Sequence, residues 1–355
     1  MYLFRGNIIY IYMDTDYHYK YLKYYTKYNK ISNIAYQEKN IYGGSNEKDI
    51  SKILQIAKKV QIIGMAEATH GQQEITKFRM KVFKNLVKKS NYRVFILEDQ
   101  YSCCELINDY IQTGNGKPKK LLSQLSWYWW SNDMLKIIMW MRKYNQQTNN
   151  KIEFHGIDIQ AICDDYPNKS IAKYVKKLHN KNQKVDQDDW TEADGFRDES
   201  MFNVFMKIYD PTKKYFIYAH NYHIAKQDLI GSGNVRNKTK LEGRIIKKND
   251  TVEWFGCLLK KEFGTHYFSI GNIFTNGGYL ETFDIIEQRR ESGFDTHYKF
   301  IRANNAFIIV YEPPGVGNID PSNLPNGLTI FKDQNKPFDA IMIIDPEMPL
   351  KLINY

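Results

Sequence analysis

At 355 residues, with 43% hydrophobic and 25% charged side chains, the chain is long enough to bury a large core and too apolar to be disordered or fibrous. Fifty Lys and Arg against forty Asp and Glu leave a net charge of +10. The excess is spread along a chain rich in Asn, Lys, Ile and Tyr instead of being gathered into a stripe, so no specific nucleic-acid partner is expected.

The N-terminal segment, residues 1–45, is rich in Tyr, Lys and Asn without a clear period and reads as an extension. Its apolar stretch at 8–13 is broken by tyrosines, too short to cross a bilayer and without a small-residue cleavage site. Residues 46–355 read as a single α/β domain, in which from residue 59 short apolar runs alternate with amphipathic segments, the pattern of βα units around a largely parallel sheet.

The run VQIIGMAEA predicts a buried strand, and QQEITKFRMKVFKNLVKKS a helix with Ile75, Phe78, Val82 and Leu86 on one face. YRVFILED predicts a second strand, followed by a helix that carries Cys103, Cys104, Leu106, Ile107 and Tyr110 and ends at Gly114 and Gly116. An aromatic turn, SWYWWSND, leads into the helix MLKIIMWMRKYN, and IEFHGIDI supplies a third strand. Residues 160–195 read as a short insertion, a helix plus a solvated excursion. A helix around RDESMFNVFMKIY and the strand KYFIYA follow, and HYFSIG, AFIIVYE and DAIMIID are expected to complete the sheet.

Four cysteines, Cys103, Cys104, Cys163 and Cys257, show no CxxC or zinc-ribbon spacing. Neither a disulfide framework nor a structural zinc is therefore expected, and a reducing, cytoplasmic compartment fits.

Three predicted strand ends carry polar residues that a plain core would not choose: Glu67 with His70, Glu98 with Asp99, and His220 with His223. Open α/β sheets build their sites at the carboxyl ends of strands, so residues far apart in sequence can meet in one crevice there. Taken singly, each is more often a helix cap or a surface group than a catalyst, and Thr69 could cap the next helix; their recurrence at one edge favours chemistry. No GxSxG elbow is present and no cysteine stands in a catalytic context, so a hydrolase built from these parts would use water. A histidine is suited to take the proton from that water, with Glu67 or Glu98 fixing its tautomer and stabilising the imidazolium.

The elements GMAEATHG, Arg79, ILED, WYWWSND, HGIDIQ, RDESM and AHNYH, with WFGCLLKKEFGTHYFSIG after them, occur in an order that resembles the erythromycin esterase family over roughly residues 60–275. The resemblance implies an α/β fold and hydrolysis of an ester or lactone without a bound metal or cofactor, on a small-molecule substrate. It makes His70 the general base, Glu67 and Glu98 essential acids, Arg79 an essential arginine, and His220 and His223 a histidine pair. Trp129, Trp130, Asp158 and Arg197 fall in matching segments and are expected to contact substrate. Arg79 either stabilises an oxyanion or carboxylate or forms a structural ion pair with Glu98.

Met65 and Ala66 depart from the family pattern before the acidic motif without removing a functional group. The segment between Asp158 and Arg197 is short compared with the helical insertion over the pocket of macrolide-opening members, so KVDQDDWTEADG, with Trp190, reads as a solvated loop and small esters as better substrates than macrolides. Two other readings stay open: a metal-dependent hydrolase using Glu67, His70, Glu98, His220 and His223 as ligands, and a non-catalytic binder of haem or another flat aromatic ligand through Trp127, Tyr128, Trp129 and Trp130.

Overall fold

The computed structural model describes residues 45–344 apart from 69, 164–168, 186–189, 228–237, 242–243, 248–252, 274–277, 282–297, 304–305, 312–326 and 332–335. The N-terminal extension, save for its last residue, and Thr69 therefore lie outside the described residues. The order of elements is α1 (Ser45–Ala57), β1 (Ile62–Glu67), α2 (Gln73–Ser90), β2 (Tyr92–Gln100), α3 (Tyr101–Thr113), α4 (Pro118–Leu122), α5 (Asn132–Asn145), β3 (Glu153–Asp158), α6 (Lys169–Asn182), α7 (Trp190–Ile208), β4 (Lys214–His220) and α8 (Asn221–Ile224). Then come a hairpin, β5 (Lys238–Leu241) and β6 (Arg244–Lys247), and α9 (Phe255–Phe263), β7 (Tyr267–Ile273), β8 (Gly278–Glu281), β9 (Tyr298–Ala303), β10 (Ala306–Tyr311), β11 (Gly327–Ile330) and β12 (Ala340–Ile343).

Seven strands form the central sheet in the order β11-β12-β7-β1-β4-β2-β3. Every pairing is parallel except the edge pair β11 with β12. Because successive side chains on a strand point to opposite faces, the sheet feeds two cores. Ile63 and Met65 of β1, Phe95 and Leu97 of β2, and Phe216 and Tyr218 of β4 pack with α1, α2, α3 and α5. Ile62 and Ala66, Val94 and Ile96, and Tyr215, Ile217 and Ala219 pack with α6, α7 and α9 on the other face. The chain moves from β1 to β2 and β3 over the first face and returns to β4 over the second, the distribution that right-handed crossovers require. β1 and β4 are neighbours whose connections leave in opposite directions, the arrangement that in open α/β sheets places a crevice at the carboxyl ends.

The predicted helices and strands from residue 60 to 220 are all present, with Ile75, Phe78, Val82 and Leu86 buried as expected and α3 closed by Gly114. The later strands are arranged differently. HYFSIG and DAIMIID join the central sheet as β7 and β12, but AFIIVYE forms the middle strand of a separate antiparallel sheet, β8-β10-β9. An apolar run shows that a strand is buried without saying in which sheet it pairs. The 160–195 segment is more helical than expected: α6 places Val175 and Leu178 in the second core, and WTEADG is the first turns of α7 instead of a solvated loop.

The cysteines also depart from expectation. Cys103 and Cys163, 60 residues apart, form a disulfide with Cα atoms 5.2 Å apart, while Cys104 and Cys257 are not disulfide-bonded. Sequence spacing reports only local pairs; here the first turn of α3 is laid against the segment leaving β3, where the Cys163 N–H also donates to Ser102 Oγ at 2.7 Å. The pairing removes the cysteine argument for a reducing compartment. Among the described residues no helix is long and apolar enough to cross a membrane.

Two experiments check this architecture. Alkylation of the denatured, unreduced chain should label two cysteines and label all four only after reduction, and Cys163→Ser should lower stability by about 2–4 kcal/mol; four labels without reductant would contradict the pairing. At Gly156 in β3, an added Cβ would come within 2.8 Å of Cys104 Sγ and Gln100 O and closer still to Asp99 O. Gly156→Ala should therefore lower the urea midpoint, at a cost of about 1–3 kcal/mol.

Candidate active site

β1 ends on Glu67, whose side chain, by strand alternation, points to the face covered by α2. Its carboxylate is 1% exposed. Oε1 lies 2.5 Å from His70 Nδ1, and Oε2 accepts from Arg79 Nη2 at 2.7 Å and from the Tyr218 hydroxyl at 3.0 Å. Burial pushes the Glu67 carboxyl up, but the Arg79 charge and the His70 bond outweigh it and hold the group below its usual range. Arg79 reaches Glu67 from one turn above Thr76 on α2, with its guanidinium carbon 3.4 Å over the Tyr218 ring. Thr76 donates to the Gln72 carbonyl at 2.5 Å and meets the Tyr218 hydroxyl at 3.1 Å.

Arg79 has no exposed surface. It therefore acts on Glu67 and does not reach an oxyanion in the crevice. Nor does it pair with Glu98: that residue follows Val94 and Ile96 on the opposite face of the sheet, so a helix on the first face cannot meet it.

His70 is the accessible end of this chain, with 31% of its side chain exposed. Gly71, at φ +76°, turns the backbone from His70 into α2 in a conformation that favours glycine. The imidazole stacks face to face on Tyr128, with ring centroids 4.0 Å apart and planes 6° from parallel. It also makes a T-shaped contact with Trp129, with centroids 6.0 Å apart, and lies 5.7 Å from His220.

The turn carrying Tyr128 is tied to β2 by the Ser126 N–H, which donates to Asp99 Oδ2 at 2.8 Å; Oδ1 accepts from the Gln100 N–H at 2.6 Å. Burial nonetheless pushes Asp99 up to about 7. Trp129 is 2% exposed, wedged between His70 and the Tyr218 ring, and the Trp130 indole donates to the Leu125 carbonyl at 2.9 Å. The side chains of Trp127 and Trp190 lie outside the described residues.

A second ion cluster occupies the other face. Glu98 Oε1 accepts from Arg197 Nη2 at 2.8 Å and lies 3.1 Å from His223 Nε2, while Oε2 accepts from the His220 backbone N–H at 2.7 Å. Arg197 also binds Asp158 through Nη2 at 2.8 Å and Nε at 3.2 Å. His223 Nδ1 donates to Asp198 Oδ1 at 2.8 Å, an oxygen that also accepts from the Phe255 N–H at 2.7 Å. Burial alone would push His223 down; Asp198 and Glu98 reverse this and raise it to about 10. As an imidazolium it donates to both carboxylates, and its 3.0 Å approach to Arg197 Nη1 is then a repulsion those carboxylates offset. Glu98 is held well below its usual range, because His223 and Arg197 overcome its burial.

His220 joins the two clusters as a scaffold. Its Nε2 donates to the Ala68 carbonyl at 2.7 Å, and its Nδ1 caps α8 by facing the Tyr222 N–H at 3.5 Å. Burial, and next the nearby charge of His70, push it down to about 4, so it stays neutral. Ala68 is gripped from the other side by Asn272 Oδ1, at 3.3 Å. The Asn221 side chain holds the Asn272 backbone at both groups, donating from Nδ2 to the carbonyl at 2.8 Å and accepting from the N–H on Oδ1 at 3.0 Å.

The predicted residues Glu67, His70, Arg79, Glu98, Asp158, Arg197, His220 and His223 thus all gather at the carboxyl edge of β1, β2, β3 and β4. Sequence reasoning did not find Tyr218, Asp198, Asn221 and Asn272, and met Tyr128 only as part of an aromatic cluster. Tyr218 carried a usable signal, since it stands two residues before His220 and so on the same face of β4 as Glu67's partners.

These observations agree with three comparisons. The family model described as erythromycin esterase matches residues 87–185 and 167–292, together more than half of the chain. Erythromycin esterase type II of Escherichia coli is 24% identical over 128 residues, 36% of this chain and 30% of that protein. The chain's match thus spans less than a third of that relative's length. Among solved structures, a Bacillus cereus protein aligns with a TM-score of 0.62 at 15% identity, covering 86% of this chain and 93% of that one. A protein described as a succinoglycan biosynthesis protein aligns at 0.59 and 15%, with the same coverage. A variant of the erythromycin esterase EreC in its open conformation aligns at 0.55 and 13%, over 86% and 95%. At these identities the structures speak for the fold, and the family model for the kinship: the chain belongs to the erythromycin esterase family.

Proposed function

We propose that the protein hydrolyses carboxylic esters with His70 as the general base for water. The observation that carries this reading is the chain Arg79–Glu67–His70, buried at its charged end and accessible only at the imidazole. Glu67 at Nδ1 favours the tautomer whose basic lone pair is on Nε2. Nε2 takes a proton from water as the oxygen adds to the ester carbonyl; the tetrahedral oxyanion collapses, and the leaving alkoxide takes the proton back from the imidazolium. The products are an acid and an alcohol, and no covalent enzyme intermediate forms. Arg79 supports the step through Glu67, keeping that carboxylate ionised so that it stabilises the imidazolium. Arg197, the more exposed cation of the second cluster with 13% of its side chain accessible against 7% for His223, is the proposed contact for a carbonyl or carboxylate oxygen.

A metal-dependent reaction on the same residues is less well supported, because their lone pairs are committed. Both oxygens of Glu67 and of Glu98 bond to cations or N–H and O–H donors, His220 donates through Nε2 to a carbonyl, and His223 is held protonated. Activity before and after chelation distinguishes the two.

His70→Ala should lower kcat by roughly 10²–10⁴-fold on a responsive ester with the fold intact; near-normal turnover would remove His70 from the mechanism. The pH dependence has a definite sign. His70 works as the neutral base, so kcat/KM should rise with pH as it loses its proton. Glu67→Gln removes the anion that favours the imidazolium, so the acid limb of that profile should move to lower pH while the maximum falls. An unmoved limb with unchanged kinetics would leave Glu67 a structural role.

The substrate is proposed to be a small or open ester. In support, the described part of the segment between β3 and β4 covers the second face of the sheet through Val175 and Leu178, which leaves little apolar surface to enclose a large ring. Specificity constants measured side by side should favour a short-chain lactone over erythromycin; a clear preference for the macrolide would overturn this.

A further inference from the structure

We propose that Tyr128 is a positioning residue that stabilises the protonated form of His70 through its ring face, an inference that rests on His70 acting as the base. The two rings are stacked, with centroids 4.0 Å apart and planes 6° from parallel. An aromatic face carries negative potential, so it attracts an imidazolium more strongly than a neutral imidazole within about 6 Å of the ring centre. The stack therefore strengthens as His70 takes the proton from water, the moment at which stabilisation accelerates the reaction.

The surroundings of His70 single out this contact. Glu67 meets the ring at Nδ1, the Trp129 ring stands at 71° to it, and His220 is tilted by 55° and kept neutral by burial. Glu98 acts on His70 through space. Among the described residues whose rings contact His70, Tyr128 is stacked parallel to it while Trp129 and His220 are not. Its placement is built: the 3-10 turn Trp127–Trp129 hangs from Asp99 through the Ser126 N–H, and Trp129 fills the space between His70 and Tyr218. The Tyr128 hydroxyl is not the active feature, since burial pushes its ionisation well above the usual value and the group stays a phenol.

The test is a histidine NMR titration of the full chain, in which the His70 signal is identified by its loss in His70→Gln. Tyr128→Leu and Tyr128→Met remove the face while keeping an apolar side chain, and Tyr128→Phe keeps it. The apparent pKa of His70 should fall by about 0.4–1.5 units in the Leu and Met variants and match wild type in the Phe variant. On a responsive short-chain ester, kcat should fall roughly 2–30-fold in the same two variants with KM little changed. An unmoved His70 titration in a folded Leu or Met variant overturns the proposal, as does an equal shift in Phe; two faceless variants leave one to decide if the other does not fold. The titration needs no substrate, so it stands apart from the esterase reading, which fails separately if no ester is turned over.

Discussion

The Glu67 carboxylate is shared between a guanidinium without exposed surface and an imidazole that reaches the crevice. Burying either charge alone would cost several kcal/mol, and together they are stable because both oxygens of the carboxylate are bonded. Arg79, Tyr218 and Thr76 form the inner half of that arrangement, contributed by α2 and β4. The helix after β1 is therefore more than a cover for the sheet: it delivers the cation that keeps the strand's terminal acid ionised. His70 inherits its orientation from that acid, and Gly71 allows the chain to turn at that point.

The opposite face repeats the logic with other residues. Glu98 is held by Arg197 and His223, and Arg197 is steadied by Asp158. The two clusters are separated by the sheet and touch through His220, whose backbone N–H is bonded to Glu98 and whose ring is bonded to Ala68, two residues before His70. A change on one face can thus move the loop that carries His70 on the other. In the AHNYH motif one histidine thus caps a helix and braces a loop, and the other is a buried cation.

Much of this was legible in the sequence, for reasons that can be named. The strand ends stood out because Glu67, Glu98 and His220 break apolar runs where only a site or a cap would tolerate them, and parallel sheets collect such ends at one edge. Family resemblance then supplied Arg79 and Arg197. The partners were harder to read. Which acid Arg79 meets depends on side-chain alternation along β1 and β2, a pattern that was available and rules out Glu98. The bond between Cys103 and Cys163 depends on how α3 lies against the chain leaving β3, which no spacing rule reports. Tyr128 lay hidden in an aromatic turn whose composition suggests core or pocket wall equally, until the stack on His70 gave it a direction. The separate sheet around β10 was missed because an apolar strand's pattern does not specify its neighbours.

The account turns on His70 as a replaceable proton acceptor, and chemical rescue tests that most directly. In the His70→Ala variant, added imidazole should restore ester hydrolysis above the reaction of imidazole in buffer alone, with saturation and in proportion to its neutral form, because the base is then supplied from solution into the space beside Glu67. Wild-type turnover in the variant without imidazole would contradict the account.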